Sequence, residues 1–307
     1  MEVHQEMLNN QKIEEYVSNG YLIVNDIITR NELELLKEEI IQIAKGKYPG
    51  KGFNIFSNQL TDNEILRQIL AVHQPHYLSP ILVDFIKKKN ITNILSKITG
   101  AHLPFWEGNV KCMQSMYFIK GPGMPGNNWH QDESAIPTRD RSLTAAWIAI
   151  DDVTLDNGCL WVIPESHQKG YLYPKHEHGE YDDYDYAESA FGFSESDKIP
   201  VPMKAGDVLF FNGYLLHKSE KNTTNTFRRA LALHYMNSFS LLPWNMIGDD
   251  PIALHDFRKV IQVSGEDPYE WKGYEKPPRE ILLRNCKAIS SEDDKGIFYR
   301  NTDATKE

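Results

Sequence analysis

His130 and Asp132 stand two residues apart, and a second histidine, His217, follows after a long interval. Two imidazoles and one carboxylate are a ligand set that can hold Fe(II) on one face and leave three coordination positions open. Open positions suit a metal that must take up both a co-substrate and dioxygen. Arg228 lies eleven residues beyond His217, where a planar two-pronged donor could fix the far carboxylate of a 2-oxo acid. Together the four residues point to oxygen chemistry on iron. Taken singly they do not. His-x-Asp is common by chance, His130 alone reads equally well as a hydrogen-bonded structural histidine, and Arg228 alone as a charge at a strand end.

The elements that must position these groups are legible from local pattern. Alternate side chains of a strand share a face, so His130 and Asp132 project together while Gln131 turns away. Residues 206–213 read as a strand and turn that present His217 at a barrel mouth. Arg228 opens a β-prone run in which Arg229 faces the opposite way, as a surface charge. Short segments rich in β-branched and aromatic residues at 113–119, 143–150, 159–163, 208–211 and 230–235 are separated by turn residues. They predict a sandwich or jelly roll. Asp156-Asn157-Gly158 predicts a hairpin closed by a type I′ turn.

The first hundred residues read as mainly helical. Thr29 and Glu32 form a capping-box pattern ahead of an apolar stripe of Leu33, Leu36, Ile40 and Ile43 that ends near Gly46. Thr61 and Glu64 repeat the signal ahead of Ile65, Ile69 and Leu70, and Tyr21–Val24 predicts a strand at the edge of the later sheet. The fold class is mainly β with flanking α-helices. One domain spans 1–307, with a helical part over 1–109, a core over 110–240 and a C-terminal wrap over 241–307 that frays at its end.

At 307 residues, 41% of them apolar, the chain can bury a sizeable core. A net charge of -10 without a basic patch argues against a nucleic-acid partner. Cys112, Cys159 and Cys286 are scattered and form no disulfide framework, which fits a reducing compartment. The N-terminus lacks a signal-peptide core, and no apolar run approaches the roughly 20 residues that span a bilayer. These features set the expectation of a cytoplasmic protein with a small-molecule substrate and no membrane partner. They say nothing of oligomeric state.

Other polar groups carry less. Residues 171–196 form a long excursion between strands, rich in Tyr, Asp, Glu and His, that could act as a lid. Within it His176 and His178, with Glu177 and Glu180, could bind a second metal, although a solvated charged loop is the simpler reading. His234 alternates with apolar neighbours and reads as a buried, satisfied histidine. Arg139 and Arg141 could meet an anionic substrate group or sit in a solvated loop.

Trp129-His130-Gln131-Asp132, the segment from Asp156-Asn157-Gly158 through Pro164-Glu165-Ser166-His167, and His217 with Arg228 together resemble the phytanoyl-CoA dioxygenase family. The resemblance covers about 110–237 and implies a double-stranded β-helix, cupin-like in shape, that uses Fe(II), 2-oxoglutarate and dioxygen. It implies His130, Asp132 and His217 as iron ligands and Arg228 as the 2-oxoglutarate-binding arginine, with Ser219 beside it. Trp147 and Met116 would line the co-substrate pocket, and His167 would be a loop residue rather than a ligand. The implied reaction converts 2-oxoglutarate to succinate and carbon dioxide while a C–H bond is hydroxylated. Because Asp132 keeps the carboxylate that related halogenases lack, hydroxylation is implied over halogenation. The sequence departs from the family at Glu165, where glycine is common, and at Lys218-Ser219. Two rivals stay open: a metal-dependent cupin-like hydrolase or isomerase, which has no need of Arg228, and a non-catalytic small-molecule-binding barrel. Substrates of the family range over acyl-CoA thioesters, amino acids and secondary metabolites. The acidic Glu180, Asp182, Asp183 and Asp185 lean away from a polyanion and toward an amine-bearing compound.

Overall fold

The computed structural model describes residues 9–48, 59–185, 187–240, 260–272, 282–285 and 298–299. The N-terminal part contains Asn10–Asn19 (α1), Tyr21–Val24 (β1), Arg30–Ala44 (α2), Asp62–Leu66 (α3), Ile69–His73 (β2), Pro80–Ile86 (α4) and Lys89–Ile98 (α5). The core follows as Val110–Lys120 (β3), Asn127–His130 (β4), Thr144–Ala149 (β5), Leu160–Val162 (β6), Lys175–His176 (β7), Ser189–Ala190 (β8), Ile199–Val201 (β9), Val208–Asn212 (β10), His217–Ser219 (β11) and Arg228–Asn237 (β12). Ile261–Ser264 (β13), Leu282–Asn285 (β14) and Phe298–Tyr299 (β15) complete the described strands.

The strands form two main antiparallel sheets. The large one runs β1-β10-β5-β12-β3-β2-β14-β15, with β13 also paired to β3, and the small one runs β4-β11-β6-β9. Strand periodicity then sorts the side chains of the large sheet. Tyr117, Ile119, Ile148, Phe210, Leu231, Leu233 and Tyr235 face outward and pack with Leu33, Leu36, Ile40 and Ile43 of α2. Ala145, Trp147, Leu209, Phe211, Ala230 and Ala232 face inward, toward Leu160 and Val162 of the small sheet. The jelly roll expected from the strand pattern is the fold observed, and β1 joins the edge of the large sheet beside β10. Among the described residues no helix is long and apolar enough to cross a membrane.

Both capping boxes form. Thr29 Oγ1 accepts from Glu32 N, and Glu32 Oε2 accepts from Thr29 N at 2.9 Å. The second box, at Thr61, opens a helix of only five residues. Ile69 and Leu70 therefore do not continue that helix, contrary to expectation, but begin β2 beside β3. An apolar run with no polar face suits a strand buried on both sides better than an amphipathic helix.

The predicted hairpin at Asn157-Gly158 is also corrected. Gly158 takes φ +85, but Asn157 has no positive φ, so the turn is not type I′. Its flanking strands are not partners: β5 pairs with β10 and β12, whereas β6 pairs with β11 and β9. The Asn157 side chain instead bonds within its own loop, accepting from Thr154 N and donating to Asp152 O, each at 2.8 Å. The connection thus crosses from one sheet to the other. The C-terminal wrap is strand addition where it is described, through β13 on β3 and β14 on β2. Its final residues, 300–307, lie outside the described residues, as does Cys286.

Candidate metal and co-substrate site

His130, Asp132, His217, Arg228, Ser219, Trp147 and Met116 all line one cavity between the two sheets. His130 ends β4 and His217 begins β11, and the two strands pair so that these histidines lie opposite each other. Their rings are 4.1 Å apart. The strand stops at His130, so Asp132 belongs to a short 3-10 turn rather than to the strand. Gln131 nevertheless stays extended, at φ -124 and ψ 126, and returns Asp132 to the face of His130. Gln131 itself turns away, its amide donating to Tyr171 O and Tyr214 O and accepting from Tyr173 N. Asp132 Oδ1 lies 3.5 Å from His130 Nε2 and 3.6 Å from His217 Nε2.

The protonation of this cluster suits a divalent ion. His130 Nδ1 faces Asn128 O at 2.7 Å and His217 Nδ1 faces Leu215 O at 3.0 Å. A carbonyl can only accept, so each Nδ1 carries a proton and each Nε2 is turned to the cavity, where it could meet a metal. Burial, aided by neighbouring His130, lowers His217 to about 4, which keeps it neutral near pH 7. Burial opposes ionisation of Asp132, but His217, His234 and His130 outweigh it and hold the carboxyl well below its usual range. The three side chains offer ligand atoms within 4.8 Å of one another, and no other such group exists among the described residues. Two imidazole nitrogens and one carboxylate oxygen fit Fe(II).

The other end of the cavity, whose volume is about 160 Å³, carries positive charge. Arg228 is 3% exposed, its Nη2 donates to Gly158 O at 3.2 Å, and its guanidinium stacks 5.4 Å from the Trp147 ring. Its Nε has no hydrogen-bond partner. Burial lowers Arg228 to about 10, which leaves it charged at neutral pH. Lys120 stands opposite Arg228 in the β3–β12 register, and its Nζ donates to Ser219 Oγ at 2.9 Å and to Glu220 O. Burial, then the charge of Arg228, pulls Lys120 well below an ordinary lysine. Neither cation has a carboxylate in ion-pair contact among the described residues. Ser219, Trp147 and Met116 line the same space.

Lys120 is the residue the sequence reading missed. Strand parity was the available signal, since Met116, Phe118 and Lys120 share one face of β3. By the same parity Arg228, Ala232 and His234 share one face of β12. His234 is buried as expected but is not a bystander, because its Nε2 lies 3.1 Å from Asp132 Oδ2. Arg229 does face away, yet it is not a free surface charge. It grips Asp151 with Nε to Oδ2 and Nη2 to Oδ1, both at 2.7 Å.

Several candidates fall outside the site. Arg141 lies over the Tyr214 ring, in a separate groove with His102 and His167, and neither it nor Arg139 lines the metal cavity. His167 holds Val17 O through Nε2 at 3.0 Å, a loop role as expected. Among the described residues of the excursion no second metal cluster forms: His178 bonds to Asp185 O and Glu180 N, and His176 to Glu177 O. Of the four acidic residues there, Asp185 alone lines the cavity, while Glu180, Asp182 and Asp183 are exposed. Glu165 adopts φ +64, the left-handed conformation that explains why glycine is usual at that position.

The chain is similar to known proteins in sequence and in fold. The phytanoyl-CoA dioxygenase (PhyH) family model matches residues 16–230. A phytanoyl-CoA dioxygenase of Arabidopsis thaliana is 27% identical over 265 residues, covering 75% of this chain and 89% of that protein. The non-heme alpha ketoglutarate dependent carbocyclase SnoK from nogalamycin biosynthesis superposes with a TM-score of 0.59 at 19% identity, over 84% of this chain and 97% of that one. The epimerase SnoN in complex with Fe3+, alpha ketoglutarate and nogalamycin RO gives a TM-score of 0.56 at 17% identity, over 84% and 96%. The structural likenesses establish a shared fold, and the family match extends through both histidines, Asp132 and Arg228. The chain belongs to the phytanoyl-CoA dioxygenase family, whose members are iron- and 2-oxoglutarate-dependent dioxygenases.

Proposed function

We propose that the protein hydroxylates a C–H bond of a small molecule, using Fe(II), 2-oxoglutarate and dioxygen and releasing succinate and carbon dioxide. The observation that carries this reading is one cavity shared by the His130, Asp132 and His217 cluster and a pair of buried cations. His130, Asp132 and His217 would hold the iron, which supplies activation of dioxygen when bound. Arg228, Lys120 and Ser219 would hold the far carboxylate of 2-oxoglutarate, while Trp147 and Met116 wall the pocket against water. Residues 171–196 would serve as the lid, a role supported by the backbone bridge between Tyr184 and Gly126 beside β4. We read 1–307 as one oxygenase domain, and the free, buried Cys112 and Cys159 support a reducing compartment such as the cytoplasm.

The buried carboxylate of Asp185 on the cavity wall supports a substrate bearing an amine over a polyanionic thioester. The test is anaerobic reconstitution with Fe(II), followed by oxygen uptake and succinate formation across a panel of amines, amino acids and acyl-CoA thioesters. Product mass should rise by one oxygen. A hydrolase, an isomerase or a binding barrel would yield no succinate, and an epimerised or cyclised product would replace hydroxylation while keeping the co-substrate chemistry.

A further inference from the structure

We propose that His234 is a positioning residue for the metal-binding carboxylate: its Nε2–H holds Oδ2 of Asp132, so that Oδ1 alone is presented to the metal. The inference rests on the iron-site reading given above. His234 lies on the inner face of β12, 4% exposed, 102 residues from Asp132 in the chain. Its Nε2 is 3.1 Å from Asp132 Oδ2. Its Nδ1 is buried with no hydrogen-bond partner. A carboxylate oxygen only accepts, so Nε2 carries a proton in this contact.

This tautomer is the reverse of that in the two ligand histidines. His130 and His217 donate from Nδ1 to backbone carbonyls and turn Nε2 toward Oδ1. His234 aims a proton at the other carboxylate oxygen. Three imidazoles thus surround one carboxylate, and only the third restrains it. With Oδ2 occupied, Asp132 is not free to turn both oxygens toward the same ion. A carboxylate that did so would fill a coordination position that the co-substrate and dioxygen need. The simpler reading is that Asp132 merely satisfies a buried histidine. That reading predicts an effect on folding stability with no separate effect on metal affinity.

Full-length wild-type protein, His234→Gln and His234→Asn are titrated with Co(II), and the apo melting temperature of each is recorded. Glutamine places an amide N–H near the position of Nε2, whereas asparagine reaches only as far as Nδ1. The expected result is Co(II) binding by His234→Gln close to wild type and by His234→Asn about 10- to 100-fold weaker. Equal affinity in all three overturns the positioning role. Imidazole 15N shifts of the wild-type protein, with His234 assigned by its loss in His234→Gln, test the same claim without a folding risk. They should report an Nε2–H tautomer for His234, and an Nδ1–H tautomer overturns the proposal. Failure of the wild-type protein to bind Co(II) at all would instead remove the metal-site reading on which the inference stands.

Discussion

The two ends of the cavity are built on opposite principles. At the proposed metal end, His130 and His217 are each fixed by a backbone carbonyl, and Asp132 is held between them and His234. Those side chains are oriented before any ion arrives. At the proposed co-substrate end, Lys120 and Arg228 face each other across β3 and β12, both buried. Their hydrogen bonds run only to a hydroxyl and to carbonyls. Burying positive charge is costly, so an anion bound at this end would offset that cost. One end is preorganised and satisfied, the other is completed by its ligand.

The largest expected effect tests the satisfied end. Asp132→Ala should lower Co(II) affinity by at least about 100-fold, since loss of an inner ligand exceeds loss of an outer one, and succinate formation should fall to background. Retained metal binding, read by titration, would mean that the ion sits elsewhere. Arg228→Lys comes next: losing one charged hydrogen bond, about 1.5–3 kcal/mol, raises the 2-oxoglutarate requirement about tenfold or more. An unchanged apparent affinity removes Arg228 from that task.

Lys120→Met gives a smaller change whose sign differs between states. It should weaken 2-oxoglutarate binding severalfold yet raise the melting temperature of the apo protein, because a buried amino group whose charged form desolvation disfavours is gone. The accompanying pH dependence follows from the direction of the shift. Lys120 binds its proton more weakly folded than unfolded, so the unfolded chain carries more protons and apo stability rises with pH on the alkaline side. Lys120→Met should flatten that rise, and a steeper one would contradict the assignment. The smallest effect on the co-substrate is expected from Arg229→Met. It breaks the Asp151 pair on the outer face and should lower stability while leaving 2-oxoglutarate affinity within about twofold, roughly 0.4 kcal/mol. A large loss of affinity there would blur the distinction between the two faces of β12.

Much of the site was legible because strand geometry is local. Alternation on β12 separates Arg228 from Arg229, and the extended Gln131 puts Asp132 on the side of His130. The same alternation would have marked Lys120 and His234, had parity from Met116 and Arg228 been followed to the ends of their strands. The Asn157-Gly158 turn was misread for the opposite reason. Two adjacent residues that favour a tight turn do not reveal that the strands on either side join different sheets. Ile69 and Leu70 fit a helical period until β3 covers one face of the chain and makes a strand the better burial.

By itself the amino-acid order determined the ligand types, the arginine and the strand-rich core, since residue chemistry and side-chain periodicity operate over a few neighbouring positions. Tertiary structure alone decided that His217 lies opposite His130, that Lys120 lies opposite Arg228, and that His234 reaches Asp132. Those meetings join segments far apart in the chain. They are fixed by sheet register and by burial on both faces of the large sheet, which only the folded protein possesses.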